Sequence, residues 1–169
     1  GNVEARRDAA YALAALGRDS LAALPELINA LGDRDEQVWM QSAMAIARIG
    51  PLASDAAPAL IESLDSRSDQ MRYRAAWALG QLGPPVIPAL RDASKHDGDR
   101  IRMGAAAAMG WLAESGTEVL PGLTDLLVDE NADVALAASV ALGRLGAPAE
   151  SALTQALSNE RETVRGTAA

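Results

Sequence analysis

The sequence predicts an all-α solenoid, built from stacked antiparallel helix pairs on a repeat of 30–33 residues. Three observations predict it. First, a segment recurs along the chain. Its clearest copy runs Met71-Arg72-Tyr73-Arg74-Ala75-Ala76-Trp77-Ala78-Leu79-Gly80-Gln81-Leu82-Gly83, and others begin at Ala5, Val38, Ile101 and Val134, with a truncated one at Val164. The start-to-start spacings are 33, 33, 30, 33 and 30 residues, and a fixed period of this size marks a stacked array. Second, Ala and Leu dominate the apolar residues, Phe is absent and β-branched residues are few, which favours helix over sheet. Third, a pair of helices cannot bury both of its faces alone, so neighbouring pairs must stack. The expected organisation is one domain over residues 1–169, with five complete copies and the stub of a sixth, as a fragment of a longer protein.

The first helix of each copy is predicted from Ala5, Val38, Met71, Ile101 and Val134. Counting from those residues, positions 1, 5, 8, 9 and 12 are apolar or small in every complete copy, as in Val38, Ser42, Ala45, Ile46 and Ile49. At about 100° per residue they share one arc, which predicts the core face. Position 13 is Gly17, Gly50, Gly83 and Gly146, with Ala113 the exception; glycine there suits a helix end that needs positive φ. Asn2, Asp35, Ser68 and Asn131 stand where an N-cap is needed, and Gly98 fills that place in the fourth copy.

The second helix of each copy is marked by Leu24-Pro25, Ala57-Pro58, Ile87-Pro88 and Leu120-Pro121. Proline is expected in the first helical turn, where its missing N–H would have no partner. Apolar residues follow at helical spacing, as in Leu24, Leu27, Ile28 and Leu31. Asp33, Asp65 and Asp129 fall in the turns that lead to the next copy.

The pattern Val-Arg-x-x-Ala-Ala-x-Ala-Leu-Gly-x-Leu-Gly, almost intact from Met71 to Gly83, resembles the HEAT repeat, in its short bacterial type named after phycobilisome lyases. The resemblance covers essentially the whole chain. It implies a right-handed superhelix whose Val-Arg helices (Ala5–Leu16, Val38–Ile49, Met71–Leu82, Ile101–Leu112 and Val134–Leu145) line the concave face. It also implies that the position-2 arginines, here Arg6, Arg72, Arg102 and Arg165, pair with turn carboxylates between repeats. Trp39 and Ala135 depart from that pattern, so the ladder is expected to break there.

Composition narrows the function. The formal charge is -8 and a single lysine, Lys95, accompanies the arginines, a poor match to the clustered Lys and Arg of a general nucleic-acid binder. No run approaches the ~18 apolar residues of a membrane span. With no cysteine, disulfides and thiolate metal sites are excluded, while the compartment stays open. The single histidine, His96, sits in the turn Lys95-His96-Asp97-Gly98 and reads as a solvated turn residue. HEAT-like deoxyhypusine hydroxylases carry repeated His-Glu pairs that hold iron, and no such pair occurs here. Neither a catalytic triad nor a phosphate loop is recognisable. A non-enzymatic protein without a cofactor is expected.

The informative feature is the outward side of the Val-Arg helices, positions 3, 7 and 11. Commonly polar in this repeat, these columns here hold Arg7, Met40, Tyr73 and Met103, then Tyr11, Met44 and Trp77, then Arg48, Trp111 and Arg144. Tyr, Trp, Met and Arg are enriched at interfaces, and a contiguous exposed patch usually marks one. The six Val-Arg helices carry eight arginines against one acid, Asp8. With four arginines assigned to the ladder, Arg7, Arg48, Arg74 and Arg144 are expected to be available. The expected partner is therefore a protein or peptide segment with apolar anchors and some Asp or Glu. Packing of these residues against neighbouring helices is the alternative, with Trp39 the foremost case. Rival functions are chromophore handling in the manner of phycobilin lyase subunits, and DNA binding in the manner of HEAT-like glycosylases. Weak self-association through the stripe or the terminal helices is a further expectation.

Overall fold

A computed structural model describes residues 2–112, 116–158 and 166. Its α-helices are α1 (Val3–Leu16), α2 (Leu24–Ala30), α3 (Glu36–Ile49), α4 (Ala57–Ser63), α5 (Asp69–Gln81), α6 (Ile87–Ala93), α7 (Asp99–Gly110), α8 (Gly116–Leu126), α9 (Ala132–Leu145) and α10 (Glu150–Leu157). Short 3-10 segments precede several of the Pro-bearing helices, and no strand occurs among the described residues. None of these helices is long and apolar enough to cross a membrane. The truncated copy at Val164 and Arg165, and the Ala113 exception, lie outside the described residues.

The chain forms two compact units, residues 1–86 and 87–169. In the first, α1, α3 and α5 lie side by side in one layer, with α2 packed on α3 and α4 on α5. In the second, α7 and α9 pack against each other and α8 packs on both. Local sequence accounts for the ends of these helices. The side chains of Asn2, Asp35, Ser68 and Asn131 accept N–H bonds from Glu4, Val38, Met71 and Asp133 at 2.9–3.3 Å, each satisfying an otherwise orphaned donor. Gly17, Gly50, Gly83 and Gly146 all adopt positive φ between 59° and 76°, as the sequence requires of a residue without Cβ.

The turns repeat one device. Asp33, Ser66, His96 and Asp129 occupy the same register, five residues before their Val-Arg segments. Each accepts the backbone N–H two residues on, from Asp35, Ser68, Gly98 and Asn131. His96 does so through Nδ1, at 2.9 Å, so its role in the turn is structural.

Positions 1, 5, 8, 9 and 12 are buried throughout α3, α7 and α9 and in α5 apart from half-buried Met71. In α1 the expectation fails. Ala5, Ala9, Ala12 and Leu16 are exposed and Leu13 is half-buried. In α3 the equivalent residues are covered by the preceding α1–α2 pair, and among the described residues no pair precedes α1. A second buried set was not anticipated. Positions 6 and 10 are small in every copy (Ala10 and Ala14, Ala43 and Ala47, Ala76 and Gly80, Ala106 and Gly110, Ser139 and Gly143), and all but the last two are buried. In the second unit, small residues bring α7 and α9 into backbone-close contact: a Cβ on Gly110 would fall 2.9 Å from that of Ala141.

One proline sits where the sequence reading did not put it. Pro25 and Pro58 lie in the first turns of α2 and α4, but Pro121 stands inside α8, which starts earlier, at Gly116. Proline's locked φ is helical in itself and its cost falls on the preceding turn, so an early start places Pro121 mid-helix.

Candidate functional site

Among the described residues the position-2 arginines make structural bonds. Arg6 grips Asp33 in a bidentate fork, Nε to Oδ2 at 2.6 Å and Nη2 to Oδ1 at 3.1 Å. Arg102 does the same to Asp129, at 2.8 and 3.0 Å. Its remaining nitrogen donates to the carbonyls of His96 and Asp97. The bond from Arg6 is the first cause that lowers the Asp33 pKa, with the Asp35 N–H adding to it. Arg72 departs from the pattern, donating to the Ser66 carbonyl and pairing with Asp69 on its own helix. The break expected at Trp39 is present. This side chain is 1 % exposed and its indole N–H reaches Ser63 Oγ at 3.3 Å. Ala135 is likewise buried.

The residues singled out for partner binding fall on both units. On the first, Tyr11 and Tyr73 are 66 % and 59 % exposed, and Met40, Met44 and Trp77 are half-buried. Their helices are adjacent, so the columns of positions 3 and 7 form two rows across α1, α3 and α5. The indole N–H of Trp77 makes no hydrogen bond among the described residues. On the second unit Met103 is half-buried and Trp111 is 37 % exposed. Leu136 and Val140, from the same columns of α9, are half exposed beside them, at 50 % and 51 %.

Three of the four arginines expected to be available are engaged. Arg7 forks onto Asp35 at 2.9 and 2.6 Å; this bond is the first cause that lowers the Asp35 pKa to about 2. Arg48 donates through Nη1 to the Ala14 carbonyl at 2.6 Å, closing an orphan acceptor near the end of α1. Arg144 lies on the Trp111 ring, its guanidinium carbon 4.5 Å from the centroid, within cation–π range. Of these four, Arg74 alone, half-buried on α5, has no ion pair, hydrogen bond or ring contact among the described residues. The errors share a cause. Helical periodicity says which way an arginine leaves its own helix, whereas its acceptor is set by the next helix over.

Among the described residues no group of His, Asp and Glu gathers as a metal site would require. The groups brought together on these columns are aromatic and thioether side chains, the indole N–H groups of Trp77 and Trp111, and the Arg74 guanidinium.

The arrangement of paired helices, ladder arginines and capped turns defines the class, an all-α helical-repeat protein. The family of HEAT repeats matches residues 1–72 and 57–141, and the chain belongs to it. Solved structures agree at the level of fold. The CpcE–CpcF complex of phycocyanin lyase from Nostoc sp. PCC7120 is 21% identical with a TM-score of 0.60, covering 88% of this chain and 96% of that one. The HEAT-like repeat protein of the archaeon Thermococcus onnurineus NA1 is 16% identical with a TM-score of 0.60, covering 99% and 79%. A computationally designed armadillo repeat protein for modular peptide recognition is 21% identical with a TM-score of 0.53, covering 99% and 92%. The comparison with curated proteins gave no significant match.

Proposed function

We propose that this chain is a non-catalytic protein-interaction scaffold, and that it binds a peptide or protein segment on the outward face of its Val-Arg helices. The observation that carries the reading is the row of Tyr11, Met44 and Trp77 beside Met40 and Tyr73, left accessible across three adjacent helices in columns that are commonly polar. Tyr and Trp give large contact areas at small entropic cost, and such anchors dominate interface energies. Arg74 favours a partner with Asp or Glu. The designed armadillo structure supports the reading as a related architecture made for peptide recognition.

The test is affinity capture with wild type and with Tyr73→Ala/Trp77→Ala, after circular dichroism shows that the variant keeps its helices. Leu52→Ala, which removes a 65 % exposed side chain away from the rows, is the control. Loss of the captured protein with the double variant and its retention with Leu52→Ala support the reading. Equal capture by all three proteins removes it. A second reading, chromophore handling, draws on the likeness to the phycocyanin lyase complex, because an aromatic face also suits a flat ligand. Visible absorbance of a bilin, unchanged when the protein is added, would end it.

A further inference from the structure

On the second unit a cleft of about 420 Å³ opens between α6 and α8. Arg91, Asp92 and Lys95 line it from α6, and Thr117 and Glu118 from α8. Ile87, Pro88 and Pro121 supply its apolar walls.

The repeat shows that these cations are not part of its packing. Three residues past the proline, the four Pro-bearing helices hold Ile28, Ile61, Arg91 and Thr124. Seven past it they hold Gly32, Asp65, Lys95 and Val128. A cation stands at both places in the third copy alone, and Lys95 is the single lysine of the chain. Arg91 and Lys95 are four residues apart, so they share one face of α6. The Arg91 stem lies over α8, since a Cβ on Gly122 would fall 3.8 Å from Arg91 Cγ.

The four charges of this cleft do not meet. The charged groups of Arg91, Lys95, Asp92 and Glu118 make no ion pair or hydrogen bond among the described residues. A plain anion would gain the two cations but lie beside both carboxylates, and a plain cation would meet the reverse. A ligand that carries both signs answers all four groups. The volume stands at the low end of ligand sites, which run from about 300 to 1,000 Å³, so that ligand is small. Its uncharged part belongs against Ile87, Pro88 and Pro121.

We propose that the cleft between α6 and α8 binds a free aliphatic amino acid as its zwitterion. The carboxylate lies on Arg91 and Lys95, the ammonium lies on Glu118, and the side chain rests on the apolar walls. The site is on the Pro-bearing helices, away from the rows of Tyr11, Met44 and Trp77, and it stands independently of the scaffold reading.

The full chain is titrated by calorimetry with L-leucine and with its two halves. Isocaproate lacks the ammonium, and isoamylamine lacks the carboxylate. Leucine is expected to bind with a Kd of about 1 mM or lower, and each half at least about tenfold more weakly. Arg91→Gln should weaken leucine about tenfold, as loss of a charged hydrogen-bond partner does. Glu118→Gln should weaken leucine by a similar factor yet leave isocaproate unchanged or tighter, because it removes a charge that repels a carboxylate. Both side chains are exposed, and circular dichroism checks that the variants keep their helices. Arg18→Gln, on the first unit, is the control and should bind leucine as wild type does. Isocaproate binding as tightly as leucine overturns the proposal in favour of a simple anion site. A Glu118→Gln variant that weakens leucine and isocaproate alike also overturns it, as does an Arg18→Gln effect equal to that of Arg91→Gln. No binding of leucine at millimolar concentration removes the site altogether. The capture experiment decides the scaffold reading separately, since its substitutions lie on the other face.

Discussion

Arg102 holds Asp129 through two parallel bonds, Nε to Oδ2 at 2.8 Å and Nη2 to Oδ1 at 3.0 Å, with both side chains largely enclosed. Its third nitrogen ties the carbonyls of His96 and Asp97, so one guanidinium fastens the turn before α7 to the turn before α9. Arg102→Ala leaves Asp129 without its counter-ion and two turn carbonyls without a donor. The expected loss is about 2–4 kcal/mol, read as a shift in the urea midpoint. Arg102→Lys should recover less than half of it, because an ammonium cannot fork onto a carboxylate. Full recovery by Lys would show that charge alone matters.

Two glycines at the same repeat position should respond oppositely. At Gly110 an added methyl meets Ala141 at 2.9 Å, whereas at Gly143 nothing lies within 4 Å. Gly110→Ala is expected to destabilise by about 1–3 kcal/mol as helices α7 and α9 are forced apart. Gly143→Ala should stabilise by about 0.5–1 kcal/mol through helix propensity. Thermal melts of the two variants check the contrast, and a stabilised Gly110→Ala would contradict the close packing.

Ser42 is fully buried and its hydroxyl has no hydrogen-bond partner among the described residues. An unsatisfied buried hydroxyl costs stability, and its removal leaves little void. Ser42→Ala should therefore raise stability, by about 1 kcal/mol. A loss on substitution would mean that the hydroxyl is satisfied in solution.

Acid should unpick the first turn ahead of any general unfolding. Asp35 has its pKa lowered to about 2, chiefly by Arg7, and Asp33 is lowered by Arg6. An unfolded aspartate titrates near 3.9. Between that value and the folded one the unfolded state binds more protons, so stability is full above about pH 4 and falls as pH drops toward 2. Asp35→Asn keeps a capping oxygen but loses the ion pair. Its stability deficit relative to wild type should be constant above about pH 4 and shrink toward pH 2. A deficit independent of pH would assign the loss to capping.

The periodic part of this structure was legible because it is local. An N-cap, a glycine at positive φ and the apolar arc of a helix each depend on residues within one turn, and Asn2, Asp35, Ser68, Asn131 and the four positive-φ glycines behave as the sequence implied. The pairing of Arg6 and Arg102 with turn carboxylates was legible through the resemblance to the HEAT repeat, and both pairs, Arg6–Asp33 and Arg102–Asp129, span 27 residues. The fate of the other arginines was not. Arg7 found Asp35, 28 residues on, and Arg48 found a carbonyl 34 residues back, partners outside that regular separation. The small columns at positions 6 and 10 are present in the sequence but their burial is not legible there, because an alanine or glycine carries no signal of burial until a second helix lies against it.

What the sequence determined by itself was the repeat, its helices and their ends. Tertiary structure decided which surfaces remain free. It covered Val38, Ala45 and Ile49 with a preceding helix pair and left the matching Ala5, Ala12 and Leu16 of α1 exposed. It engaged Arg7, Arg48 and Arg144 and left Arg74. The reason is physical. A helix's pattern of faces follows from its own 3.6-residue turn, but burial and pairing are properties of two helices at once, and depend on which neighbour arrives and how closely it packs.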